Sequence, residues 1–181
     1  KKISMVLGAL MVCTASLMAM MITPVMSGQT NFNNGSLIGS VDYAMYGPGQ
    51  YSGTTIFPST DYVYAYRVFD AAASKVSIDF FSVGLEANAI VGNLTYEAVA
   101  GDVIPGYQAI LSESVLNLFF GSAGPITKGR HSAILLFSSP MRPMQGFGMV
   151  SGGFTGGEIV SLAAPIPEPM TLTLLALGGA F

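Results

Sequence analysis

The chain has 181 residues, enough for one domain with appended segments. Charged residues make up only 9% of it, far below the roughly 25% of an ordinary globular domain, and a mean hydropathy of +0.57 marks part of the chain as suited to lipid. From Gly28 to Ala164 there are nine acids and five bases, and five minus nine gives a formal charge of −4, which argues against a nucleic-acid surface built from clustered Lys and Arg.

The chain opens "KKISMVLGALMVCTASLMAMMITPVMSGQT" without an initiator methionine, so further residues are expected ahead of Lys1. Lys1 and Lys2 form a basic start, Ile3 to Ile22 is apolar and uncharged, and Ser27 follows Val25 at the two-residue spacing that a signal peptidase tolerates. The segment 1–27 therefore reads as a secretory signal cleaved by signal peptidase after Ser27. The alternative is an uncleaved anchor, because an apolar run of this length can span a bilayer. The breaker Pro24 and the polar Gly28-Gln29-Thr30-Asn31 stretch favour cleavage. The sole cysteine, Cys13, follows bulky Met11 and Val12, where a lipoprotein signal needs small residues, so it reads as a small hydrophobe. An exported body without cysteine depends on packing and strand pairing for its stability.

In the body, 28–164, "SGQTNFNNGS" is turn chemistry. Val41, Tyr43 and Met45 then alternate with Asp42, Ala44 and Tyr46, the period of a strand with one buried side. "GPGQYSGTT" and "FPST" break the chain. "DYVYAYRVFD" predicts a second strand with Tyr62, Tyr64, Tyr66 and Val68 on one face and Val63, Ala65, Arg67 and Phe69 on the other. In "SKVSIDFFSVGLE" the apolar phase of Val76, Ile78 and Phe80 changes to that of Phe81 and Val83, which predicts a bulge or sharp bend at Phe80-Phe81. "AIVGNLTYEAVAG" predicts one or two short strands interrupted at Gly92. "YQAILSESVLNLFFG" predicts another, with Leu116, Leu118 and Phe120 on one side and a central apolar run expected to be buried on both faces. "GRHSAILLFSSP" predicts a nearly continuous apolar strand from Ala133 to Phe137, and "MQGFGMVSGGFTGGEIVSLAA" a pair of edge segments ending near Leu162. Seven or eight short strands with turn signals every ten or so residues predict an all-β, single antiparallel β-sandwich, jelly-roll or Ig-like.

Catalytic residue types are sparse. The single histidine, His131, has no Gly-x-Ser-x-Gly elbow to pair with and reads as a residue flanking a strand beside Arg130. One His and no Cys in the body cannot supply a zinc site, and the acids stand too far apart for a calcium loop. Backbone carbonyls around Asp61 or Asp102 are the remaining place for a structural cation. No cofactor motif is present, since the Gly-rich "VSGGFTGGE" lacks the Lys-Ser/Thr ending of a phosphate loop. Tyr62, Tyr64 and Tyr66 on one strand face, with Tyr43, Tyr46 and Tyr51 nearby in sequence, form either a flat platform on which sugar rings stack or a set of cross-strand pairs with buried rings and wet hydroxyls.

The chain ends "APIPEPMTLTLLALGGAF". The prolines hold Pro165-Ile166-Pro167-Glu168-Pro169 extended and outside a sheet. From Met170 an uncharged helix is expected. Its twelve residues give about 18 Å against a hydrocarbon core of about 30 Å, so the helix is expected to continue past Phe181. This ending resembles the PEP-CTERM sorting signal of exported bacterial proteins, in which a Pro-Glu-Pro motif precedes a helix rich in Leu, Ala and Gly and then a basic cluster. The resemblance covers about 17 residues and gains weight from the signal segment at the other end. The full helix and the basic cluster are absent from the sequence as it stands. The resemblance implies recognition of Pro167, Glu168 and Pro169 by an exosortase, a membrane-embedded cysteine transpeptidase-like enzyme. It further implies transient anchoring in the inner membrane, removal of the helix, and delivery of the body to the cell surface or extracellular matrix of a bacterium that makes exopolysaccharide and biofilm. The sequence thus reads as a non-enzymatic exported protein in three parts: 1–27 signal, 28–164 sandwich, 165–181 sorting signal. A carbohydrate-binding module using the Tyr62, Tyr64, Tyr66 face is the first alternative, and a hydrolase the second.

Overall fold

The computed structural model describes residues 23–86, 89–111, 115–121, 124–153 and 156–166. These residues are all-β, and no helix among them is long and apolar enough to cross a membrane. The expected signal helix and the apolar C-terminal helix fall on residues outside those described.

Among the described residues ten strands follow one another: β1 (Met26–Asn33), β2 (Ile38–Tyr46), β3 (Tyr62–Asp70), β4 (Phe80–Gly84), β5 (Gly92–Glu97), β6 (Tyr107–Leu111), β7 (Val115–Phe119), β8 (Ile134–Ser139), β9 (Pro143–Ser151) and β10 (Gly157–Pro165). They form two antiparallel five-stranded sheets, ordered β1-β2-β3-β8-β5 and β10-β9-β4-β7-β6. The inner faces of both share one core, in which Val41, Met45, Tyr64, Tyr66 and Phe137 from the first sheet meet Phe81, Leu118, Val150 and Leu162 from the second. Each large apolar side chain enclosed there contributes on the order of 1.5–3 kcal/mol.

Local chemistry accounts for the turns. Between β1 and β2 the Asn33 carboxamide oxygen accepts from Gly35 N, and that of Asn34 accepts from Ser36 N and Leu37 N. Gly35 sits there at a φ of 81°, the left-handed region that glycine enters without strain. The alternation read in β2 and β3 is the alternation of the fold: Val41, Met45, Tyr64, Tyr66 and Val68 point inward. The predicted phase change falls at Asp79-Phe80, because Ile78, Phe81 and Val83 are all buried while Phe80 is only half-buried. Gly92 begins β5, and the irregularity lies just after it, where Asn93 takes a φ of 49° and the register against β8 shifts.

Three expectations are corrected, the first being that "SGQTNFNNGS", read as turn chemistry, carries strand β1 as far as Asn33. The single strand read in "YQAILSESVLNLFFG" is a hairpin of β6 and β7, and Leu116, Leu118 and Phe120 point inward as expected. Both faces of β8 are buried because the chain from Gly47 to Asp61 crosses its outer side. There Tyr51 and Phe57 join Tyr46 over Val63, Ala65 and Leu136 as a small second core, the kind of satellite cluster found under long loops. The last strand runs past Leu162 to Pro165, paired with Pro143.

Strand β10 is the edge of its sheet, yet its free side is occupied. Thr30 Oγ1, from β1, donates to the Ser161 carbonyl, and the Tyr66 hydroxyl donates to the Ala163 carbonyl at 2.6 Å. Residues two apart on a strand direct their carbonyls to the same side. Donors from the first sheet therefore close the open side of the second.

Candidate functional site

The outer face of the first sheet carries the chemistry that the inner face lacks. The register places Gln29, Asp42 and Arg67 side by side on β1, β2 and β3, with Ala44 opposite Ala65 in the next row and Tyr46 opposite Val63 beyond it. The two charged neighbours are drawn apart. Asp42 Oδ1 accepts from Gln29 Nε2 at 2.6 Å, whereas Arg67 Nη2 reaches the other way to Asp102 Oδ1 at 2.5 Å and its Nε to the Ser132 carbonyl at 3.3 Å. The Arg67 side chain keeps 32% of its surface exposed while that of Asp102 keeps 5%, so the ion pair is anchored on its inner side. Between these diverging groups lies a cleft of about 190 Å³, floored by Ala44 and Ala65, walled by Asp42 and Arg67 on one side and by Tyr46 on the other, with Ile134 at its end.

The Tyr46 wall is held from behind. Tyr51 stands edge-on to Tyr46 at 5.2 Å and to Phe57 at 5.4 Å. Glu97, from β5, ties the covering loop down by accepting from Thr55 N at 2.8 Å. Burial, then the hydrogen bond to Glu97 and its charge, raises the Tyr51 hydroxyl well above the usual tyrosine range. Burial alone would raise Glu97 too. The bonds from the Thr55 backbone, Thr54, Tyr51 and the Thr55 hydroxyl outweigh it and lower the carboxyl.

Tyr62, Tyr64 and Tyr66 do share one face, but it is the inner one. Tyr64 and Tyr66 are buried, with hydroxyls donating to the Met141 and Ala163 carbonyls, and Tyr64 stacks on Phe137 at 4.9 Å. Tyr62 packs against the same core. Burial pushes the hydroxyls of Tyr64 and Tyr66 well above their ordinary value. These three residues present no exposed platform, which corrects the expectation of a sugar-stacking face there. The physical reason is that amphipathic rings find carbonyl acceptors at the core boundary.

His131 stacks on Phe69 at 4.6 Å, and its Nδ1 is buried without a hydrogen-bond partner. Asp61 accepts from Ser138 Oγ and Thr60 Oγ1, and Asp102 accepts from Val99 N as well as from Arg67. Among the described residues no three of His, Cys, Asp and Glu come together. Ser27 lies exposed at the second position of β1, opposite Ala44, so a cut after it removes Met26 and Ser27 from that strand. Pro167, Glu168 and Pro169 lie outside the described residues, directly after Ile166.

Two features escaped the sequence. One is the Asp42, Arg67 and Ala44, Ala65 neighbourhood, whose only sequence signal is the pairing of two strands in one particular register. The other is a larger trough of about 440 Å³ on the outer face of the second sheet, lined by Val115, Phe147, Met149, Ile159, Gly84 and Ser82. Apart from the Ser82 hydroxyl no side chain there can orient a ligand, so the trough is shaped to cover apolar surface and not to read polar groups. Comparison with protein-family models, with curated proteins and with solved structures finds nothing that matches this chain.

Proposed function

We propose that the chain is a non-enzymatic protein of the bacterial cell surface or extracellular matrix, exported by its leading segment and sorted by an exosortase acting at Pro167-Glu168-Pro169. One observation carries the reading. The last described strand ends at Pro165, and the Pro-Glu-Pro motif begins two residues further along the chain, at Pro167. A sorting signal needs such a place, because its removal must leave the core whole. The body is read as a jelly-roll-like sandwich: β3 pairs with β8 in one sheet and β4 with β7 in the other, the pairing of a long hairpin folded across two layers.

The test is fractionation of an exosortase-bearing host expressing the full-length gene, beside a Glu168→Ala variant. The expected result is a processed body outside the inner membrane for the parent chain and an unprocessed, membrane-held form for the variant. Recovery of the parent body in the cytoplasm, or identical processing of both, would overturn the proposal.

A further inference from the structure

We infer that the cleft over Ala44 and Ala65 binds a neutral polysaccharide, one sugar ring of which sets an edge on the alanine floor against Tyr46 with its hydroxyls turned toward Asp42 and Arg67. This moves glycan recognition from the buried face of Tyr62, Tyr64 and Tyr66 to the opposite side of the same sheet.

Four features of the cleft lead there. The floor is a pair of methyl groups on adjacent strands, about 4.8 Å apart in the pairing direction, half-open at Ala44 and narrowing to the buried Ala65, so it is apolar and takes one edge of a sugar ring. One wall is a tyrosine ring fixed from behind by Tyr51, and a rigid aromatic wall offers the C–H face of a sugar a surface without loss of rotamer freedom. The other wall supplies a carboxylate, which only accepts hydrogen bonds, and a guanidinium, which only donates them. A sugar hydroxyl does both, so vicinal hydroxyls can satisfy the two groups together. The last feature is charge. Asp42 opposes an anionic ligand and the body carries −4 overall, while Arg67 opposes a cationic one, which leaves an uncharged, polyhydroxylated ligand as the fit. Arg67 and Asp42 already lean away from each other toward Asp102 and Gln29, so the slot is open before any ligand arrives.

The experiment is calorimetric titration of the full chain with cellohexaose, xylohexaose and mannohexaose, and with an acidic hexamannuronate for comparison. At least one neutral hexasaccharide is expected to bind. Ala44→Leu, which fills the floor, is expected to weaken that binding tenfold or more while the melting temperature stays at the parent value. If Ala44→Leu melts early, Asp42→Asn decides instead, and the same loss is expected because its amide no longer presents two acceptors. Binding by none of the neutral sugars, binding of the acidic one alone, or binding that both variants leave unchanged overturns the inference. Export is a separate matter. A chain that is exported and binds none of the sugars ends this inference alone, and one that binds a sugar but stays in the cytoplasm ends the sorting proposal alone.

Discussion

The Tyr66 hydroxyl donates to the carbonyl of Ala163 across 2.6 Å, and this bond fastens the middle of the first sheet to the edge of the second. Both partners are buried, so nothing but protein can replace the bond. Tyr66→Phe is expected to cost about 1–2 kcal/mol, read from urea unfolding. Tyr64→Phe should cost less, since its acceptor, the Met141 carbonyl, lies in a part-buried turn. Equal losses from the two would remove the special role of the inter-sheet bond.

Asp70, at the end of β3, is fully buried and its two carboxylate oxygens have no hydrogen-bond partner. Ser74 stands beside it but gives its proton to the Ile38 carbonyl. Burial raises the Asp70 carboxyl, with Ser74 and Lys128 opposing. A carboxyl raised in the fold adds stability below its unfolded value of about 3.9, and that contribution is lost as pH rises through the folded value. Asp70→Asn should therefore exceed the parent at pH 7 by on the order of 1 kcal/mol, with the gap closing toward pH 4 in thermal melts. A gap independent of pH would show that the buried charge is not its cause.

Glu97 behaves in the opposite sense. Its carboxyl is lowered, so its contribution is present above about 4.3 and disappears as pH falls through the folded value. Hydrogen exchange at the Thr55 amide, corrected for the intrinsic rate, should quicken on acidification. Glu97→Gln should show the faster exchange already at neutral pH, at a cost of about 0.5–1 kcal/mol. Unchanged protection of Thr55 in that variant would mean that Glu97 does not hold the loop.

Gly148 is the tightest of the β9 glycines against the two neighbouring strands of its sheet, β4 and β10. A Cβ there would stand 2.5 Å from the Ser82 carbonyl oxygen and 2.7 Å from Leu162 Cδ2. Gly148→Ala should destabilise by about 1–3 kcal/mol, whereas Gly121→Ala, where a Cβ meets open space, should change little. Equal denaturation midpoints would contradict this packing.

Strand positions were legible where alternation was strong, as from Val41 to Met45 and from Tyr62 to Val68. Which face of β3 turns inward was not, because a tyrosine reads as wet or buried according to whether its hydroxyl meets an acceptor. The acceptors of Tyr64 and Tyr66 lie 77 and 97 residues away in the chain. The β6, β7 hairpin was missed because the segment joining its strands, Ser112-Glu113-Ser114, contains neither Gly nor Pro. The cleft was illegible for a related reason. Ala44 and Ala65 are unremarkable alone, and only pairing between two strands makes them a floor.

Strand β10 meets β9 in nine consecutive register pairs, from Gly157 to Pro165. Ladder hydrogen bonds lie across the strand direction, so tension applied from the C-terminal end of the body runs along the strand and loads the whole row at once instead of parting it one pair at a time. A body tethered through that end would resist drag in shear, its strongest direction, and single-molecule stretching of the C-terminal end of β10 against a handle at the far end of the body should register one high rupture event and not a staircase of low ones.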